Sequence, residues 1–81
     1  MRIDKYLKVS RLIKRRTVAQ EACTQGRISV NGKVAKASSE VKIGDEVQIT
    51  FGERIIKVKV ESIAEHALKN DAALMYTVIE G

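Results

Sequence analysis

Gly26-Arg27-Ile28-Ser29-Val30-Asn31-Gly32-Lys33-Val34 is the stretch in which the apolar spacing of the chain changes from a helical to an extended period. Gly26 is a stop signal for a preceding helix, since glycine readily adopts the left-handed conformation that follows many helix ends. Asn31-Gly32 between two short apolar segments is the strongest two-residue hairpin signal, because both turn positions need a positive φ. The stretch therefore predicts a helix that ends near Gly26 and a β-hairpin directly after it.

Beyond the hairpin, apolar and polar residues alternate in two further segments. Residues 47–51 and 56–60 each place apolar side chains on one face, and Gly52-Glu53 between them fits a type II′ turn. The turn Gly44-Asp45 leads into the first of these strands. Residues 72–79 are apolar enough to dock on the resulting sheet, as a helical turn, as a last strand or as both.

Before the hairpin, the spacing predicts two helices. Residues 3–13 favour a short helix with a turn near residues 10–14. Thr17 is a candidate N-cap of the second helix, and Gln20 three residues later completes a capping-box pattern. The apolar stripe of this second helix consists of Val18, Ala19, Ala22 and Cys23.

Helices that come first and strands that come later predict an α+β fold. The 81 residues suffice for one domain with a small core, which we predict over residues 1–64, with a C-terminal extension over residues 65–81 docked on the sheet. No apolar run approaches the roughly 18–20 residues that span a bilayer. The single cysteine excludes an internal disulfide and agrees with a reducing compartment. We therefore expect a cytoplasmic protein with no membrane partner.

Positive charge is concentrated towards the N-terminus. Residues 1–42 contain eleven of the 15 Lys and Arg residues and three acids, whereas residues 43–81 contain four bases and seven acids. The two parts carry net charges of +8 and −3. One-sided charge of this kind is typical of a protein that binds a polyanion. A solvated basic face that serves only solubility is the competing interpretation.

The basic residues are spaced for contacts with phosphates. Bases at positions 2, 5, 8 and 11 are distributed over a broad face of the predicted first helix. Arg15 and Arg16 come just before the second helix, whose first N–H groups and positive dipole end favour a phosphate. The three aromatic residues make a poor stacking platform for single strands. The second helix is interpreted as lacking the polar side chains that contact DNA base edges, so structured RNA is favoured.

The residues that carry most enzymatic chemistry are sparse. His66 is the only histidine, and no acid or base is spaced to work with it. Cys23 lies on an apolar stripe, which predicts a small buried side chain rather than a nucleophile. A metal site needs several Cys or His ligands, and the chain has one of each. We therefore expect neither an enzyme nor a resident metal or cofactor.

Many spacings match one known family at once. The matching residues are Arg2-Ile3-Asp4-Lys5-Tyr6-Leu7, Ser10-Arg11, Arg15-Arg16-Thr17, Ala19, Ala22, Gly26, Ile28, Val30-Asn31-Gly32, Lys36, Ser38, Val41 and Gly44-Asp45. Over roughly residues 2–51 the chain resembles the αL RNA-binding motif of the small-subunit ribosomal protein S-four, which also occurs in tyrosyl-tRNA synthetases and pseudouridine synthases. The resemblance implies two helices packed on a small, strongly bent antiparallel sheet.

Stand-alone members of this family resemble the chain further, through their strand-rich extension and an Ala-Ala-Leu-Met-Tyr-like tail. They include the fifteen-kilodalton heat-shock protein and its short Gram-positive counterparts, the ribosome-quality-control protein P family. The heat-shock protein has a long basic C-terminal helix that this sequence lacks, which favours the shorter counterparts.

The resemblance implies a monomeric factor that binds a stalled large ribosomal subunit in the cytoplasm. It would contact large-subunit ribosomal RNA and peptidyl-tRNA, and support C-terminal alanine tailing of the nascent chain by a partner quality-control factor. A general large-subunit assembly factor, and a protein-interaction adaptor with incidental RNA binding, stay open as alternatives.

The family's RNA-facing positions correspond here to Arg2, Lys5, Arg11, Arg15 and Arg16. Three further candidates for RNA binding are Lys8, Lys14 and Lys36. Asp4 is expected to orient a neighbouring arginine or to cap the first helix, rather than to contact RNA.

Overall fold

The computed structural model describes residues 1–64 and 69–80 of the chain. Its elements, in chain order, are α1 (Ile3–Val9), α2 (Arg16–Thr24), β1 (Ile28–Val30), β2 (Lys33–Val34), β3 (Glu46–Phe51), β4 (Arg54–Val60), the single helical turn α3 (Lys69–Ala72), a 3₁₀ turn (Ala73–Met75) and β5 (Tyr76–Glu80). The strands form one antiparallel sheet in the order β2-β1-β3-β4-β5. The predicted α+β fold, in which two N-terminal helices precede a small antiparallel sheet, is confirmed.

Helix α1 is short because its C-terminus turns sharply away from the helix axis. Ser10 is the C-cap, and its buried hydroxyl donates to the carbonyl oxygen of Leu7 at 3.3 Å. The next residue, Arg11, has φ 64° and donates its backbone N–H to the carbonyl of Lys8 at 3.0 Å. The left-handed position after a helix is usually occupied by glycine. The predicted turn near residues 10–14 is therefore confirmed, and an arginine occupies its most constrained position.

Helix α2 begins two residues earlier than the capping-box pattern predicts. Arg15 is the N-cap, and the helix has no side-chain cap, so Thr17 lies within the first turn. The capping-box prediction is wrong because the helix already includes Thr17, which therefore cannot be its N-cap, and the Gln20 amide donates to Asp4 on α1 instead. Val18 is also not part of the buried stripe, since it is 46% exposed whereas Ala19 and Cys23 are buried.

The end of α2 follows the prediction from Gly26. This glycine has φ 73°, and its N–H donates to the carbonyl of Cys23 at 3.0 Å. The following N–H, that of Arg27, donates to the carbonyl of Ala22 at 2.9 Å. These two hydrogen bonds form a Schellman motif, which satisfies carbonyls that the helix end leaves free.

The predicted hairpin turn joins β1 to β2 and is tied to the loop before β3. Asn31 and Gly32 have φ 52° and 84°, as a type I′ turn requires. The Asn31 amide donates to Asp45 Oδ1 at 3.1 Å, and its oxygen accepts from the Glu46 N–H at 3.0 Å. Asn31 therefore adopts the backbone conformation that the turn needs, and its side chain links this turn to the loop before β3.

The sheet has one apolar face, which packs against α1 and α2. Residues on this face lie in rows across the strands: Ile28, Ile49 and Ile56 form one row, and Val30, Val47 and Val58 form the next. All six belong to the core cluster or pack against it, together with Ile3, Tyr6 and Leu7 of α1. The helices are thus held on a rigid sheet by apolar burial, which is the largest favourable term in folding.

The C-terminal segment adds the last strand and also contacts α1. Strand β5 pairs with β4, and the 3₁₀ turn before it places the Met75 carbonyl in the interior. That carbonyl accepts hydrogen bonds from the buried hydroxyl of Tyr6 at 2.6 Å and from the Glu61 N–H at 2.8 Å. The segment is therefore a helical turn and a strand, which was one of the predicted alternatives. The division at residues 64 and 65 stays a prediction.

Candidate functional site

The candidate site is built around Asp4, a fully buried carboxylate in the first turn of α1. Its Oδ1 accepts the backbone N–H of Lys5 at 2.7 Å. Its Oδ2 accepts three side-chain donors: Gln20 Nε2 at 3.0 Å, Arg2 Nη2 at 3.2 Å and Arg16 Nε at 3.3 Å. Because Gln20 and Arg16 belong to α2, this single carboxylate ties the two helices together. The expectation that Asp4 orients a neighbouring arginine is confirmed.

The same contacts keep Asp4 ionised. Burial by itself would raise the pKa of the Asp4 carboxyl, since it removes water from the charged form. Hydrogen bonds from Gln20, Arg16 and the Lys5 backbone outweigh that effect and hold the pKa of the carboxyl below its ordinary value of 3.8. At neutral pH a buried negative charge therefore faces two guanidinium groups.

Arg2 and Arg16, which we call the arginine pair, are each hydrogen-bonded to Asp4 and are otherwise exposed to solvent. Their side chains are 47% and 42% exposed, although the carboxylate that they share is buried. Each donates one hydrogen bond to Asp4, and within the described part of the chain neither guanidinium makes another. Since a guanidinium has five donors in a planar fork, most donors of the pair face solvent. Such forks match the oxygens of a phosphate.

The other predicted bases are distributed over several elements of the fold. Lys5 and Lys8 lie on α1, Arg11 and Lys14 in the connection between the helices, Arg15 at the N-cap of α2, and Lys36 in the loop after β2. Lys8, Arg11, Lys14, Arg15 and Lys36 are exposed, whereas Lys5 is half-buried. The loop that follows Lys36 packs on the start of α1, where the Ile3 N–H donates to the Ser39 carbonyl at 2.7 Å.

The two helix N-termini differ in what they offer an anion. The first N–H groups of α1 are occupied, because those of Ile3 and Asp4 donate to loop carbonyls and that of Lys5 donates to Asp4 Oδ1. In α2 the N–H groups of residues 16–18 have no acceptor among the described residues. Free donors at a helix N-terminus attract anions, so the start of α2, next to Arg16, is the end that suits a phosphate.

The exposed side of α2 carries an open groove of about 340 Å³ that sequence reasoning missed. This α2 groove is lined by Thr17, Gln20, Glu21, Thr24 and Gln25. Helix α2 therefore does expose polar side chains, which the interpretation that it lacks those that contact DNA base edges did not take into account. Polar residues at positions i, i+3, i+4 and i+7 from Thr17 are the signal that would have revealed it. Gln20 belongs both to the groove and to the cluster around Asp4.

Other chemically reactive side chains of the described residues are buried or isolated. Cys23 is buried, and burial raises the pKa of its thiol. Burial likewise raises the pKa of the Tyr6 phenol far above its ordinary value. Among residues 1–64 and 69–80, no three His, Cys, Asp or Glu side chains are grouped so that they could hold a metal ion. No helix in this part of the chain is long and apolar enough to cross a bilayer. His66 lies outside the described residues.

Comparison with known proteins assigns the class to which this fold and site belong. Residues 1–47 match the S4 domain family, so more than half of the chain is an S4 domain. This range includes α1, α2, the hairpin and the arginine pair. The resemblance to the S-four type of RNA-binding motif is therefore confirmed.

Relatives that match nearly the whole chain identify a particular family among proteins with an S4 domain. The chain is 55% identical to the RQC P-site tRNA stabilizing factor of Bacillus subtilis, with 99% of this chain and 93% of that protein covered. It is 58% identical to the factor of the same name from Listeria monocytogenes, with 99% and 87% covered. A trimeric structure of heat shock protein 15 from Vibrio cholerae superimposes with a TM-score of 0.89 at 28% identity, with 96% and 80% covered. The chain belongs to the family of RQC P-site tRNA stabilizing factors.

We predict that the lowered pKa of Asp4 makes the fold sensitive to acid. Because the folded pKa lies below the unfolded value, the carboxylate's contribution is complete above about pH 4 and is lost as the pH falls through the folded pKa. The variant Asp4→Asn should lose roughly 1–3 kcal/mol of unfolding free energy at pH 7. Its deficit relative to the original protein should shrink towards pH 2.

Urea unfolding of both proteins at several pH values tests this prediction, and NMR titration of the Asp4 carboxyl gives the pKa directly. Asp71, which is exposed, provides a matched control as Asp71→Asn. A deficit of Asp4→Asn that stays constant between pH 7 and pH 2 would contradict the assignment of an ionised Asp4.

Proposed function

We propose that this protein is an RNA-binding accessory factor of ribosome quality control. It binds stalled large ribosomal subunits in the cytoplasm, contacts large-subunit ribosomal RNA and peptidyl-tRNA, and supports C-terminal alanine tailing by a partner factor. It acts as a monomer and catalyses no reaction. The observation that carries this proposal is the arginine pair fixed on buried Asp4 beside the free N–H groups of α2. The names of the full-length relatives supply the biological setting.

The proposed mechanism begins with an arginine pair that is oriented before RNA arrives. A free arginine side chain loses about 2 kcal/mol of rotamer entropy when it is immobilised, and the contacts with Asp4 limit that loss at the moment of binding. Both guanidiniums donate to the same oxygen, Asp4 Oδ2, so their exposed ends keep a fixed relation. A phosphate backbone whose oxygens match that relation is bound in preference to one that does not.

The remaining bases extend the contact beyond one phosphate. The proposed RNA-binding residues are Arg2, Lys5, Lys8, Arg11, Lys14, Arg15, Arg16 and Lys36. They are spread over α1, the interhelical connection, α2 and the loop after β2, and all of these are held on one sheet. A rigid body that contacts ribosomal RNA and tRNA together converts the second contact into an intramolecular event, which slows release of either partner. That is how a protein of 81 residues can stabilise a tRNA on the subunit.

The roles that we propose for the two parts of the chain follow the distribution of charge along it. Residues 1–64 form the RNA-binding domain, and residues 65–81 form an extension that supports it from the sheet side. The hydrogen bond from Tyr6 to the Met75 carbonyl supports this arrangement, because it links the extension directly to α1.

We predict that Arg16→Ala weakens binding to tRNA-bearing large subunits by about tenfold, since a hydrogen bond to a charged group contributes about 1.5–3 kcal/mol. The slope of log affinity against log salt should fall by about one, the signature of one lost phosphate contact. Arg54→Ala is the matched control, because Arg54 is an exposed arginine on β4 outside the proposed set. Circular dichroism melts separate binding from stability, and equal losses of affinity in the two variants would contradict the site.

We predict that Arg11→Gly stabilises the fold and weakens RNA binding. The left-handed backbone of Arg11 costs about 1 kcal/mol that glycine does not incur, so the melting temperature should rise by several degrees. Affinity for the same subunits should fall several-fold. Arg11→Lys keeps both the charge and the strained backbone and should retain most of the affinity. Unchanged affinity in Arg11→Gly would show that the side chain at this corner does not contact RNA.

We predict that the tagged protein co-purifies with large subunits that carry tRNA, and that the Arg2→Ala, Arg16→Ala double variant does not. Northern blotting for tRNA in the purified particles checks this directly. Precursor subunits without tRNA would instead identify a general assembly factor, and partner protein without RNA would identify an interaction adaptor. Loss of alanine tails on a stalled reporter in cells that carry the double variant tests the link to tailing.

A further inference from the structure

Three acids lie in the basic part of the chain, residues 1–42, and two of them have a structural partner. Asp4 accepts the arginine pair and Gln20. Glu40 accepts the N-terminal ammonium group at 2.7 Å. Glu21 is exposed on α2 and forms no ion pair with any described residue. Glu21 lies five residues after Arg16 on α2, so it repels a phosphate bound there unless it also makes a favourable contact with the same ligand.

Glu21 lines the α2 groove together with Gln20, whose orientation is fixed. The Gln20 Nε2 donates to Asp4 Oδ2 at 3.0 Å, so the amide cannot exchange its oxygen and nitrogen without losing that bond. Its Oε1 has no donor among the described residues and remains a free acceptor. Thr24 also lines the groove, and its hydroxyl proton is already used, because Oγ1 donates to the Gln20 carbonyl at 3.0 Å. Gln20 Oε1 and the Glu21 carboxylate are therefore acceptors available to a ligand in the groove, which Thr17 and Gln25 also line.

A nucleotide has the complementary chemistry. Its phosphate accepts hydrogen bonds, whereas its ribose 2′-hydroxyl, exocyclic amino groups and ring N–H groups donate them. Arg16 and Gln20 are four residues apart on α2, which places them on the same side of the helix one turn apart. Donors for a phosphate and acceptors for a nucleoside therefore follow one another along this side of α2.

We infer that the α2 groove is a nucleotide subsite, in which Glu21 and Gln20 Oε1 accept hydrogen bonds from the sugar or base of an RNA residue whose phosphate lies on the arginine pair. This inference rests on the proposed RNA-binding function and adds a specificity element to it. The arginine pair supplies attraction to any phosphate, and the acceptors select a nucleotide that presents a donor at the correct distance. Glu21 then discriminates among RNA sites because an unmatched site meets only its repulsion.

The sign of one mutational effect tests the subsite. If Glu21 only repels phosphates, Glu21→Ala binds RNA more tightly. If Glu21 accepts a hydrogen bond from a nucleotide, the same variant binds about tenfold more weakly, because a charge-assisted hydrogen bond is lost. The control Glu53→Ala removes an equal charge from the exposed tip of the β3–β4 hairpin and should bind unchanged or slightly more tightly. The probe is a tRNA transcript, and the measurement is fluorescence anisotropy at about 50 mM salt.

A DNA strand with the sequence of the transcript identifies the donor. Weakening of RNA binding alone in Glu21→Ala indicates the 2′-hydroxyl, and equal weakening of both probes indicates a base donor. Affinity of Glu21→Ala equal to or above that of the original protein overturns the subsite, as does a lack of binding to the transcript. If Arg16→Ala still loses affinity for the subunits while Glu21→Ala does not, the subsite is wrong and the RNA-binding function stands. If neither variant loses affinity, both the subsite and the proposed RNA-binding function are wrong.

Discussion

Burying the Asp4 carboxylate between α1 and α2 costs solvation free energy that only donors from both helices can offset. This constraint determines several features that look unrelated in the sequence. Gln20 turns towards α1 and donates to Asp4, and the start of α2 has no side-chain cap. Arg2 and Arg16 converge although they are fourteen positions apart. The polar contact between the helices and the orientation of the arginine pair both depend on where that charge lies.

The candidate site includes two positions whose local conformation is less stable than it could be. Helix α2 begins with uncapped N–H groups, although a cap would contribute about 1 kcal/mol. Arg11 occupies a left-handed position at which glycine would be more stable. Both deviations lie at the corner between the helices, whereas the sheet below follows ordinary strand and turn preferences. Deviations from local preference that cluster beside exposed bases agree with a functional surface on an otherwise regular scaffold.

Local chemistry explains which features could be predicted from the sequence. Gly26 and Asn31-Gly32 need particular φ values, so they indicate their turns without reference to the rest of the fold. Gln20 matched a capping box by spacing, but its partner comes from another helix, and no local pattern contains that contact. Val18 was misplaced because a shift of one position rotates a helical side chain by about 100°. The contacts of Asp4 depend on tertiary structure in the same way, and its role was expected through family resemblance.

Net charge describes this surface less well than geometry does. Asp4 neutralises one of the two positive charges of the arginine pair, so a distant phosphate experiences about a single charge from the cluster. At contact, however, the same phosphate meets two guanidinium forks in a fixed relation, beside helix N–H groups that carry partial positive charge. A surface selected for attraction alone would leave position 4 without an acid. An acid at position 4 orients the pair at the cost of net charge, which fits the proposed discrimination among RNA shapes better than it fits maximal affinity for polyanions.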